Sequence, residues 1–122
     1  LGLPFVYVRP KPKDHGTGAQ VEGDLPEKAR VVVVEDLIST GGSSLAAVDA
    51  LHKAGANVLG MVAIFSYNFI KSIRAFENAN VELHTLSHYE ALLEKAVEEN
   101  YIKAEDLNVL KEWRINPEIW GK

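Results

Sequence analysis

A chain of 122 residues with 13 Lys plus Arg, 17 Asp plus Glu and no cysteine has the length of one domain, about 100–150 residues in the common case. At 47% hydrophobic and 25% charged the composition is globular, which excludes a disordered tail or a collagen-like repeat. The missing cysteine rules out disulfides, thiol nucleophiles and thiolate metal sites, and a net charge of −4 speaks against non-specific nucleic-acid binding.

No apolar run approaches the about 20 residues of a membrane span, and no basic-then-apolar leader opens the chain. The expectation is a soluble, cytoplasmic protein. Leu1 stands in place of Met, and Leu1-Gly2-Leu3-Pro4 reads like the middle of a domain, so the sequence is expected to be a fragment without its upstream part.

Phe5 to Val8 is a short aromatic and β-branched run that predicts a strand. Arg9 to Gly23 follows, polar, with two prolines and no period, a long loop of the kind that is functional or mobile in compact domains. Val31 to Val34 is four valines in a row, the pattern of a strand buried on both faces of a parallel sheet. Glu35 to Gly42 predicts a turn. From Ser43 to Ala54, Leu45, Val48 and Leu51 recur at helical spacing, and Gly55 stands where a left-handed residue ends a helix. Val58 to Phe65 predicts a third strand with Gly60 inside it, and Phe69 to Ala79 a helix striped by Ile70, Ile73 and Phe76. Val81 to Leu86 alternates as a strand does. Ser87 and Glu90 form a capping box for a helix reaching Asn100, and Ala104 to Trp113 predicts a last short helix. Strands alternating with helices imply an α/β fold, an open and mostly parallel sheet with flanking helices and right-handed crossovers.

The segment Val34-Glu35-Asp36-Leu37-Ile38-Ser39-Thr40-Gly41-Gly42-Ser43-Ser44 carries the chemistry. Two carboxylates end a buried strand, where α/β folds place ligands. A hydroxyl- and glycine-rich turn then opens a helix, whose free amides and positive end make a phosphate cradle. The carboxylates suit sugar hydroxyls or a magnesium ion. A plain strand–turn–helix connection with a Ser cap accounts for Ser43, but not for two acids stacked at the end of a valine strand, where desolvation is costly. The turn is neither a Walker loop nor a G-x-G-x-x-G fingerprint.

This segment resembles the phosphoribosyl pyrophosphate (PRPP) motif of type I phosphoribosyltransferases. The resemblance implies that Glu35 and Asp36 hold the ribose 2′- and 3′-hydroxyls, and that Leu37, Ile38, Ser39, Thr40, Gly41, Gly42 and Ser43 wrap the 5′-phosphate. It also implies Mg2+ near Glu35 and Asp36. Glu-Asp replaces the frequent Asp-Asp, and Ser39 and Gly42 stand where Thr is frequent.

Upstream, Arg9-Pro10-Lys11-Pro12-Lys13-Asp14-His15-Gly16 packs Arg, two Lys and His into a proline-restrained loop that glycines can hinge. Alone it reads as a solvated surface loop; one strand away from a phosphate cradle it suits an anionic leaving group. It is similar to the catalytic loop of the orotate phosphoribosyltransferase family, Arg-Lys-x-x-Lys-x-His-Gly. Arg9, Lys13, His15 and Gly16 match, Pro10 stands in place of Lys, and Lys11 lies one place later. The similarity implies that Arg9, Lys11, Lys13 and His15 bind and neutralise pyrophosphate, that Lys13, His15 and Asp36 serve catalysis, and that a homodimer shares the loop between subunits. It implies ribosyl transfer from PRPP to orotate, giving orotidine 5′-phosphate, with Ser39 on orotate and Ser66-Tyr67-Asn68 where the family has a base-clamping Arg.

Residues 1–122 would then form one partial phosphoribosyltransferase domain lacking its N-terminal strands and hood. Residues 9–23 would be the flexible catalytic loop and residues 104–122 the C-terminal helix and tail, with Trp113 and Trp120 packing that tail on the body. His52 is read as a surface residue complementing the end of its helix, and His84 and His88, which straddle the fourth strand and its cap, are read as no metal site. A purine-type phosphoribosyltransferase, disfavoured by the basic loop, and a non-catalytic phosphoribosyl-binding module are the alternatives.

Overall fold

The computed structural model describes residues 1–10 and 20–118. Two strands, β1 (Tyr7–Val8) and β2 (Val21–Glu22), pair antiparallel, Tyr7 opposite Glu22 and Val8 opposite Val21. Three longer strands, β3 (Arg30–Ile38), β4 (Asn57–Ser66) and β5 (Leu83–His88), form a parallel sheet in the order β3-β4-β5. Helices α1 (Gly42–Lys53) and α2 (Ile70–Asn78) make the crossovers, and α3 (Tyr89–Glu98), a 3₁₀ turn (Ala104–Asp106) and α4 (Leu107–Ile115) follow. Among the described residues the parallel sheet therefore has three strands instead of four, because the Phe5–Val8 segment contributes to a separate hairpin.

Right-handed crossovers between sequential neighbours put both helices on the same side of a sheet. Accordingly Val48 of α1 and Phe76 of α2 join Ile38, Met61 and Ala63 in one core cluster. Among the described residues the opposite side is bare. Val32 is 52%, Val34 74%, Ile64 60% and Leu86 86% exposed, so the valine run is half-buried on one side only, contrary to its sequence pattern. The pattern reports what the strand is suited to, and in these residues no helix covers the second face.

Helix ends obey local chemistry. Gly55, Asn80 and Asn100 all adopt positive φ, and after α1 the amides of Gly55 and Ala56 return to His52 O and Leu51 O at 3.0 Å. This is the paired 5→2 and 6→1 closure of a Schellman stop. At the start of α3 the structure differs from the capping-box expectation. The strand runs on through Ser87, and His88 is the cap, its Nδ1 accepting from the Ala91 amide at 3.4 Å. Likewise β3 continues through Glu35 to Ile38, which shortens the predicted turn to residues 39–41. Gly60 lies opposite a register shift at Val31/Val32, and a Cβ there would stand 3.1 Å from Glu82 O.

The helix start that matters most is Gly41, the N-cap of α1, with φ 87. A Cβ on Gly41 would meet the Phe76 ring at 2.8 Å, whereas one on Gly42 meets nothing nearer than Thr40 Oγ1 at 3.8 Å. Gly41→Ala is expected to lower stability by about 1–3 kcal/mol, while Gly42→Ala is neutral or stabilising by about 0.5–1 kcal/mol; denaturant unfolding of the two variants checks the contrast. The bare sheet face is expected to bind a hydrophobic reporter dye, and Val34→Thr with Ile64→Thr to cut that signal by about half or more without altering circular dichroism.

Candidate functional site

β3 ends on Glu35-Asp36-Leu37-Ile38 and the 39–41 loop enters α1, so the marked residues gather at the carboxyl edge of the parallel sheet, where open α/β sheets take ligands. Adjacent strand residues face opposite ways. Glu35 is half-buried on the helix side, its Oε2 accepting from Ser44 Oγ at 2.6 Å. Asp36 is exposed, and its Oδ1 accepts from the Leu37 amide at 2.6 Å. The alternation then breaks: Leu37 is exposed and Ile38 turns into the core.

Ser44 is absent from the sequence-predicted set. With Val48 and Leu51 it forms a buried i, i+4, i+7 stripe on α1, and a buried hydroxyl needs a partner. Glu35 supplies it. A polar first member in an otherwise apolar stripe is the sequence signal that could have found it.

Ser39, Thr40, Gly42 and Ser43 are all exposed. Among the described residues the N-cap Gly41 offers no side-chain hydrogen bond, so the leading amides of α1 are left to an outside acceptor. Hydroxyls, amides and the positive helix end thus form an open shelf for an anion. Beside it, Ile38 is level with Ser66, and the Tyr67 amide donates to Ile38 O at 3.1 Å. This places the turn after β4 against the root of the shelf. Its Tyr67 ring does not face outward as a free base contact: it stacks on Phe69 at 5.1 Å and meets Phe65, Tyr89 and Trp113 at their edges or at a tilt. Trp113 does pack the C-terminal helix on the body; Trp120 lies outside the described residues.

The basic loop springs from the β1–β2 hairpin, which brings its two ends together. The Arg9 amide donates to Gln20 O at 2.7 Å and its guanidinium pairs with Glu22 at 2.5 Å. Lys11, Lys13, His15 and Gly16 lie outside the described residues. His84 Nε2 lies 3.0 Å from Glu82 Oε1, and among the described residues no three His, Cys, Asp or Glu side chains gather as a metal-holding group. Burial pushes the Tyr89 phenol up from its ordinary value, the neighbouring Tyr67 adds to this, and Arg114 opposes it.

Residues 1–75 match the phosphoribosyl transferase domain family. Over all 122 residues the chain is 56% identical to an orotate phosphoribosyltransferase of Listeria innocua, covering 100% of this chain and 58% of that one. The chain thus spans somewhat over half the length of the curated relatives it matches. An orotate phosphoribosyltransferase structure from Aeropyrum pernix is similar with a TM-score of 0.66 at 35% identity, over 75% of this chain and 51% of that one. The Mycobacterium tuberculosis orotate phosphoribosyltransferase in complex with PRPP is similar with a TM-score of 0.50 at 28% identity, over 57% of this chain and 41% of that one. Since the matched stretch is more than half of the chain and holds both the basic loop and the carboxylate–glycine turn, the chain belongs to the phosphoribosyl transferase domain family.

Proposed function

We propose that this chain is the phosphoribosyl-binding part of an orotate phosphoribosyltransferase, a cytoplasmic enzyme of pyrimidine nucleotide synthesis that transfers ribose 5-phosphate from PRPP to a ring nitrogen of orotate, releasing pyrophosphate. One observation carries the reading: an uncapped helix start, entered through a left-handed glycine, sits beside two carboxylates at the sheet's carboxyl edge. The 56% identity to the Listeria enzyme across every residue of this chain supports orotate as the acceptor.

In this reading the amides of Gly41 to Ser43 and the hydroxyls of Ser39, Thr40 and Ser43 take the 5′-phosphate. Asp36, exposed and bonded among the described residues only through Oδ1, takes ribose hydroxyls, and Glu35 assists from the side that Ser44 holds. Charge develops on the ribosyl carbon and on the departing pyrophosphate, so carboxylates at one end and Arg9, Lys11, Lys13 and His15 at the other lower the barrier where charge grows. The loop, rooted on the β1–β2 hairpin, would exclude water from the cationic sugar and would enter a partner subunit's site in a homodimer.

The two acids face opposite sides of a strand, so the described residues offer Mg2+ no closed protein cage. They fit it as a hard cation brought by the diphosphate with one carboxylate near, the usual manner for this ion. When bound it would neutralise diphosphate charge. Residues 9–23 as catalytic loop and 104–122 as C-terminal helix and tail complete the proposed division of the chain.

The test is orotate-dependent pyrophosphate release by the whole protein with PRPP and Mg2+. Asp36→Asn, at an exposed position where folding is spared, is expected to lower kcat/KM for PRPP by about 10–100-fold. Release that requires a purine base instead of orotate, or none at saturating PRPP, would overturn the proposal.

A further inference from the structure

The turn Ser66–Phe69 is held in an unusual shape. Asn68 has φ 54, a left-handed conformation that Asn tolerates better than other non-glycine residues. Two hydrogen bonds hold it there. The Asn68 amide donates to the buried Ser66 Oγ at 3.0 Å, and the Asn68 carbonyl accepts from Arg114 Nη1 at 2.8 Å. Arg114 arrives from α4, 46 residues on in sequence, and its Nη2 lies 3.2 Å from Glu90 Oε1.

Arg114 is a poor choice for stability alone. Its side chain is 19% exposed, and among the described residues its buried Nε has no hydrogen-bond partner. A largely buried cation with an idle donor costs more than an apolar residue of the same shape, so a function other than filling space is called for. Trp113, one residue earlier, lies 5.4 Å from the Phe69 ring and 5.9 Å from the Tyr67 ring. Trp113 thus packs on the rings of the turn while Arg114 bonds its backbone. The turn in turn abuts the phosphate shelf through the Tyr67 amide on Ile38 O. Both Trp113 and Arg114 lie beyond residues 1–75 that match the family.

We propose that Arg114 is a positioning residue for the acceptor base: acting through the Asn68 carbonyl, it fixes the Ser66–Phe69 turn as the wall of the site facing away from the phosphate shelf. The inference rests on the phosphoribosyl-transfer reading above and adds to it the residue that holds the Ser66–Phe69 turn in place.

In the whole protein, Arg114→Ala is expected to raise KM for the acceptor base by about tenfold while KM for PRPP stays within about twofold, the loss of one charged hydrogen bond being the scale. Arg114→Lys, which keeps one donor toward Asn68, restores part of the loss, and Glu90→Gln, which leaves the Asn68 contact in place, shifts neither constant. Arg114→Met keeps the apolar stem packed and decides the matter if the alanine variant fails to fold. Equal changes in both KM values, a fall in kcat alone, or no change in a folded variant overturns the inference. Wild type that uses a purine base and not orotate overturns the functional reading alone, because KM for that base then reads the turn; wild type that turns over no base overturns both.

Discussion

The hand-over from β3 to α1 at Gly41 is the constraint on which the rest depends. With φ 87 the chain turns sharply enough that α1 begins at Gly42, and the Phe76 ring occupies the place where a side chain on residue 41 would stand. Phe76 belongs to the core cluster with Ile38, Val48, Met61 and Ala63. The ligand shelf and the hydrophobic core are therefore one packed object. Its amides are oriented before any ligand arrives, which is what an anion site needs if binding energy is not to go into ordering a loop.

Electrostatics narrow what such a shelf accepts. The positive end of α1 favours negative charge at its first amides, yet Glu35 and Asp36 stand just before the loop that leads to it and repel an anion brought too close. A ligand satisfies both only if it offers phosphoryl oxygens to the amides and neutral hydroxyls to the acids, a sugar phosphate in its simplest form. Glu35 can be half-buried because Ser44 donates to it at 2.6 Å; without a partner a carboxylate there would carry an uncompensated cost of lost hydration. The Ser44 hydroxyl thus keeps one acid of the pair fixed, while Asp36 remains in solvent.

Much of this was legible in the residues. Spacing alone located α1 and its stop at Gly55, since left-handed φ at a helix end is a backbone requirement that few residues other than glycine meet. The carboxylate–glycine turn stood out because acids after a valine strand conflict with burial unless chemistry repays them. What was not legible depends on partners far apart in sequence. Val32 and Val34 read as buried, but burial of the second face needs a covering element that periodicity cannot supply. Ser87 with Glu90 made a good local cap, yet pairing with β4, where Phe65 is level with Ser87, drew that residue into the sheet and passed the role to His88. Tyr67 looked available to a base until the rings of Phe69, Tyr89 and Trp113 claimed it.

The same one-sided topology explains why the C-terminal helices reach the site at all. With both crossovers on one side, the chain leaving β5 packs at the far edge of the sheet, and α3 and α4 lie against each other there. The Tyr89 hydroxyl donates to Leu110 O at 3.3 Å, tying α4 to the start of α3. Because burial holds that phenol above its ordinary value of 10.0, the neutral donor form persists through neutral pH, and its contribution to stability is complete below that value and fades as pH climbs past it. The contact that fixes α4, and with it the arginine reaching the Asn68 carbonyl, is therefore insensitive to pH in the range where phosphoryl ligands change charge. In the proposed reading the turn held by Arg114 therefore keeps its shape while a phosphoryl ligand changes its charge, so that recognition of the acceptor and recognition of the phosphate can vary independently on a common core.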